Sequence, residues 1–176
     1  RENELQKAVH TGIALAMVLG VVLTVAVLAL AGVMLRGMDT PAETMQQSET
    51  YLRIYACGMI GNMLYNTGAS ILRAIGDSRR PFYYLVAGTL TNIVLDIVMV
   101  VFFKWGVAGA ALATIISQYV SAFCAFAYLL RTDDMVHVDL REIRLEPLYA
   151  EKILRIGIPS ALRSLMYSFS NVLIQT

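Results

Sequence analysis

Five long apolar runs alternate with short polar stretches along this chain, at about 12–35, 51–75, 81–103, 107–130 and 153–175. Each is long enough for a helix rising ~1.5 Å per residue to cross a hydrocarbon core of ~30 Å. Backbone polar groups must be satisfied internally in lipid, so the pattern predicts an all-α, polytopic transmembrane helical bundle. The polar stretches punctuate it. Residues 1–11 read as a helical lead-in. Arg36-Gly37-Met38-Asp39-Thr40-Pro41 stops the first span, and residues 42–50 form a polar approach helix or loop. In Arg73–Pro81, Gly76 can end one helix, Asp77 or Ser78 can cap the next, and Pro81 suits its first turn. Lys104-Trp105-Gly106 allows only a tight return, so the third and fourth spans should form an antiparallel hairpin. Val136, Val138 and Leu140 alternate as in a strand, but beside membrane spans residues 131–151 read better as an interfacial linker. Gly157 and Pro159 are expected to interrupt the last run.

Polar residues inside these runs carry the chemistry. Asp96 is the only Asp, Glu, Lys or Arg between Pro81 and Phe103. A carboxylate near mid-membrane costs roughly 2.5–3.5 kcal/mol on insertion scales, and its short side chain snorkels poorly. Asn92 lies one turn earlier on the same face, with Thr89 and Gly88 continuing it. Asp96 could merely reach toward the interface or pair with a neighbouring helix. Intramembrane acids more often mark ion, proton or substrate paths. Thr114, Ser117, Gln118 and Ser121 share one face of the fourth span. Thr114 follows the hairpin tip by about two turns and Asp96 precedes it by about two, so they should lie at similar depth. Asn62 and Asn66 form a second stripe, suited to interhelical hydrogen bonding or to lining a cavity, while Gly58 with Gly61 and Gly109 with Ala113 permit close helix approach.

Composition narrows the class. Of 176 residues, 57% are hydrophobic and 15% charged, and a net charge of +1 gives no footing for a nucleic-acid partner. Cys57 and Cys124 fall in apolar runs outside any CxxC pattern and read as buried free thiols, not as metal or redox ligands. His10 and His137 lie outside the spans, His137 in a solvated linker. Arg1, Lys7, Arg73, Arg79, Arg80, Arg131, Arg141, Arg144, Lys152 and Arg155 fall on one side of the membrane; Arg36, Arg53 and Lys104 fall on the other. The positive-inside rule then puts residue 1 in the cytoplasm and Asp96 in the outer half of the membrane. The chain opens on Arg1 and closes within an apolar run, so we read it as an internal piece of a longer protein.

Several motifs together resemble the multidrug and toxin extrusion (MATE) transporters: Tyr51-Leu52-Arg53-Ile54, Arg73–Pro81, Asn92-Ile93-Val94-Leu95-Asp96, Gly106–Thr114 and Arg155-Ile156-Gly157-Ile158-Pro159-Ser160. In order and spacing they cover nearly the whole chain. The resemblance implies helices three to seven of a twelve-helix, two-lobed fold. Residues 1–131 would be the later part of the first lobe, 132–151 a cytoplasmic inter-lobe linker, and 152–176 the first helix of the second lobe. In DinF-like members a first-lobe cation or proton site uses an Asn and an Asp four residues apart and a Thr on the next helix, which match Asn92, Asp96 and Thr114. A Glu that other members carry eight residues after the Gly-x-Pro proline is Tyr167 here, which favours the first-lobe site. The expected protein is an H⁺- or Na⁺-coupled antiporter of the cell membrane exporting drug-like compounds, with Na⁺ possible at Asp96 and Asn62, Asn66 and Gln118 lining its cavity. Its partners would be the bilayer, a small-molecule substrate and the remaining helices; no cofactor beyond the coupling ion is implied. A lipid-linked saccharide flippase would want cationic cavity residues, which these spans nearly lack. An intramembrane enzyme would want a second acid, a His pair or a Ser/His dyad at depth. A structural anchor would leave the Asn92–Asp96 stripe unexplained.

Overall fold

A computed structural model describes residues 2–133 and 135–174. It contains six α-helices: α1 Glu2–Gly37, α2 Ala42–Cys57, α3 Met59–Ala74, α4 Arg79–Asp96, α5 Gly106–Leu129 and α6 Pro147–Ile174. No strand occurs among the described residues, so the alternating valines of the linker do not pair as one. Among the described residues, three helical stretches are long and apolar enough to cross a membrane: Asn3–Gly37, Arg79–Phe102 and Gly106–Leu129.

The other two expected spans differ in detail. The second begins at Ala42, absorbing the polar approach segment, and is broken at Gly58 into α2 and α3. The last begins at Pro147 and continues as helix through both Gly157 and Pro159. Proline removes one backbone hydrogen bond, but membrane helices accommodate that loss, and here the helix is not interrupted. Residues 175 and 176 lie outside the described set. The third span also changes character: beyond Asp96 the backbone widens into a π-helical segment, Ile97–Phe102. Its N–H groups reach one residue further back, as in Phe103 N to Val98 O at 3.0 Å.

The turns follow local chemistry. Asp77 Oδ1 accepts from the backbone N–H groups of Arg79 and Arg80, each at 3.1 Å, and so caps α4, while Gly76 turns at φ +87°. The α4–α5 return places Lys104 at φ 55° and Gly106 at φ 56°. Arg80 then ties the start of α4 to the end of α5: its guanidinium lies 4.1 Å from the Tyr128 ring centre, bonds the Tyr128 hydroxyl, and pairs with Asp77 at 3.0 Å.

α3, α4 and α5 pack as neighbours, with α1 and α2 against them; α6 packs along α1 alone among these helices. A buried apolar cluster closes the end where α1 begins and α3 and α5 finish: Val9, Ile13, Leu72, Leu129, Val136 and Val138. Two of its members come from the linker, which is therefore not a loose polar tether. Burying a valine side chain contributes roughly 1.5–3 kcal/mol where the alternative is water. Polar bonds reinforce it. Val138 N–H donates to Leu129 O at 3.0 Å, and the His137 ring holds Thr132 O at 2.8 Å, so that histidine is anchored, not simply solvated. The thiols depart from expectation too. Cys57 is exposed and Cys124 half-buried.

Candidate functional site

Two close contacts fix how α4 and α5 face each other. A Cβ added at Gly88 would overlap Ser121 Oγ and lie 3.0 Å from Ser117 O; one added at Gly109 would lie 3.1 Å from Met99 Cβ. In an antiparallel pair these set the register. Asn92, one turn after Gly88, stands level with Ser117 and Gln118. Asp96, a turn further, stands level with Ala113 and Thr114. The small residues at 88, 109 and 113 let the two backbones come this close.

The polar side chains gather on that seam. A cavity of about 450 Å³ is lined by Asn62, Tyr65 and Asn66 of α3, Gly88, Thr89 and Asn92 of α4, and Thr114, Ser117, Gln118 and Ser121 of α5, with Leu85. The structure thus brings together five of the six residues singled out from the sequence. Asp96 is the sixth. It is not part of this lining but stands one turn beyond Asn92, at the point where α4 passes into the π-helical segment. Such widened turns often occur at functional positions.

The bonding state of these groups is uneven. The Thr114 hydroxyl donates to Ala110 O at 3.0 Å and keeps its lone pairs for an incoming group. Ser117 donates to Thr114 O at 2.7 Å, and Ser121 donates across the seam to Tyr84 O at 3.1 Å. Asn66 Nδ2 donates to Asn62 O at 2.9 Å and also to Asn62 Oδ1, so this pair bonds within its own helix while facing the cavity. Among the described residues, three buried side-chain atoms have no hydrogen-bond partner: Asn92 Nδ2, Asp96 Oδ1 and Gln118 Oε1. A buried polar group left unbonded costs about 1–3 kcal/mol. Tyr167, which the resemblance aligns with an acid of other members, is exposed on α6, 67% accessible.

The sequence did not mark the helix break at Gly58. There the carbonyls freed by the break are taken by hydroxyls from neighbouring helices. Tyr119 of α5 donates to Cys57 O at 2.8 Å; Thr24 of α1 lies 3.0 Å from Ala56 O and 2.7 Å from Gly20 O, sharing its one proton between them. A Cβ at Gly58 would come 2.6 Å from Gln118 Oε1, so that amide oxygen lies against the break.

Comparison with known proteins places the chain. Residues 1–98 match the MatE family model. The chain is 31% identical to the probable multidrug resistance protein YoeA of Bacillus subtilis, over 97% of this chain and 38% of that one. It is 27% identical to the multidrug export protein MepA of Staphylococcus aureus, over 75% of this chain and 29% of that one. Among solved structures, an outward-facing multidrug resistance MATE transporter of the MOP superfamily matches with a TM-score of 0.86 at 30% identity, over 95% of this chain and 37% of that one. An inward-facing one matches at 0.76 and 27% identity, over 90% and 42%. The chain therefore spans only about two-fifths or less of the proteins it matches. Over that length, its sequence and its helix arrangement agree that it belongs to the MatE family.

Proposed function

We propose that this chain is the segment of a cation-coupled secondary antiporter that carries the coupling site, in a protein that exports drug-like compounds. The observation that carries the reading is Asp96. Its Oδ1 is buried and unpartnered in an otherwise apolar span, a turn from Asn92 and level with Thr114. A carboxyl group kept there at a cost of a few kcal/mol is useful if H⁺ or Na⁺ neutralises it in one state and leaves it in another. Neutralisation changes which packing of the helices is lower in free energy, and that difference is what drives alternating access. The names of the relatives, a multidrug export protein and probable multidrug resistance proteins, support drug-like cargo. The cavity beside Asp96 is neutral and amide-rich, which suits a small organic compound and offers no cationic clamp for a saccharide phosphate.

In this reading residues 1–131 belong to the first lobe of a DinF-like transporter, 132–151 link the lobes on the cytoplasmic side, and 152–176 begin the second lobe. Residue 1 is cytoplasmic and the protein resides in the cell membrane. The test is Asp96→Asn in the full-length transporter, in vesicles with an imposed Na⁺ or H⁺ gradient. Gradient-driven efflux should fall to background while the protein remains folded. Efflux still driven by either gradient would refute the assignment.

A further inference from the structure

We propose that His10 is a proton-operated latch: acid on the side of the membrane where α1 begins unfastens residues 139–146 from that helix. The inference stands on the bonding of the ring and is independent of the reading of Asp96. His10 is buried, with Nδ1 2.7 Å from Gln6 O and Nε2 3.0 Å from Asp139 N. Gln6 O can only accept, and Asp139 N–H can only donate. The two bonds together fix one form of the ring, neutral, with its proton on Nδ1. A second proton, on Nε2, would face Asp139 N–H with no acceptor between them. The bond is lost and a charge is left among buried groups, so ring and segment must part.

A proton can reach the ring. His10 lines a cavity of about 290 Å³ together with Asn3, Gln6 and Lys7 of α1 and Glu142, Arg144 and Glu146 of the linker. Lys7, Glu142 and Arg144 are exposed, so the cavity meets solvent. Among the described residues, no charged group of α3, α5 or α6 lines it. Its two cations offset its two carboxylates, and Lys7 already pairs with Glu146 at 3.5 Å. The carboxylate of Asp139 accepts from Arg141 N–H at 2.9 Å. A protonated ring that turns toward any of these carboxylates gives up Asp139 N–H all the same. The other histidine of the linker shows the contrast. His137 Nδ1 lies 2.8 Å from Thr132 O, a carbonyl, so that bond is made by an N–H and survives protonation.

What the latch holds is the approach to α6. Thr11, next to His10, accepts from Glu146 N–H, and α6 begins at Pro147. Among these helices α6 packs along α1 alone, so the seating of residues 139–146 on α1 sets how α6 is mounted on the bundle.

The test is hydrogen exchange of residues 139–146 in the full-length protein in nanodiscs, at about pH 8 and about pH 5.5. Rates are expressed as protection relative to the free peptide, with residues 117–122 of α5 as reference. The parent protein should lose protection roughly tenfold in acid, the population change that one lost hydrogen bond brings. His10→Gln, whose amide oxygen takes the place of Nε2 and does not titrate, should keep its protection at both pH values. His10→Phe should lack it at both. His137→Gln should respond to acid as the parent does. So should Asp96→Asn, which keeps this proposal separate from the coupling-site reading. Protection in the parent that does not change with pH overturns the latch. So does an acid response that persists in His10→Gln or disappears in His137→Gln.

Discussion

Tyr119 of α5 donates its hydroxyl to the backbone carbonyl of Cys57 at 2.8 Å, where the second apolar run ceases to be a continuous helix. Thr24 of α1 approaches the neighbouring carbonyl, Ala56 O, at 3.0 Å. A helix break inside a membrane is tolerated only when its freed carbonyls find donors. Two hydroxyls from two helices supply them. Tyr119→Phe and Thr24→Val should therefore each destabilise the full-length protein, by about 0.6–2 kcal/mol per lost bond. Thermal unfolding in detergent measures this. Because both bonds serve one break, the double variant should depart from the sum of the singles. Melting temperatures unchanged in both single variants would show that the break does not depend on these donors.

The α4–α5 seam makes a sharper demand. Gly88 has no room for a methyl group, since a Cβ would overlap Ser121 Oγ and sit 3.0 Å from the backbone oxygen of Ser117. The serine could move its hydroxyl only by giving up Tyr84 O, and the backbone oxygen cannot move without parting the helices. Gly88→Ala should lower stability by about 1–3 kcal/mol, the usual cost of overpacking. Adding Ser121→Ala should recover part of the loss and not all of it, because Ser117 O stays in place. Full recovery in the double variant, read from the same melting curves, would mean the seam is looser than the contacts imply.

These contacts mark what could and could not be read from the residues. Asp96 and Thr114 were placed at one depth by counting turns from the Lys104–Gly106 return, and the Gly88–Ser121 and Gly109–Met99 contacts give the same register. The Asp77 cap was legible because its chemistry is local. The break at Gly58 was not. Gly58, Gly61 and Gly68 look alike within the second run, and α5 meets all three; a Cβ would clash outright only at Gly58, 2.5 Å from Ile115 Cγ2 and 2.6 Å from Gln118 Oε1. The π-helical stretch 97–102 reads as an ordinary apolar helix, since Ile-Val-Met-Val-Val-Phe carries no mark of a wider turn. Val136 and Val138 were visible as an alternation but lost in a polar context, and their burial depends on the distant partners Val9, Ile13 and Leu72.

The linker offers the last prediction. His10 is buried, 4% accessible, with Nδ1 2.7 Å from Gln6 O and Nε2 accepting from Asp139 N–H at 3.0 Å. A backbone N–H can only donate, so Nε2 carries no proton and Nδ1–H donates to Gln6 O. The next residue, Thr11, is fully buried and bonds the same segment twice, to Arg144 O at 3.3 Å and from Glu146 N–H at 3.4 Å. Two adjacent residues of α1 thus hold both ends of residues 139–146. His10→Phe fills the same space but leaves Asp139 N–H without an acceptor. A loss of about 1–2 kcal/mol multiplies the open population roughly 5- to 30-fold. Cleavage tracks that population when opening is fast, so trypsin should cut at Arg141 and Arg144 faster by a similar factor in the full-length protein held in nanodiscs. Thr11→Val should act in the same direction. Lys7→Met, which removes only the half-exposed pair with Glu146 at 3.5 Å, should change the rate little. Digestion of His10→Phe at the parent rate would mean that the burial of Val136 and Val138 alone holds the linker down.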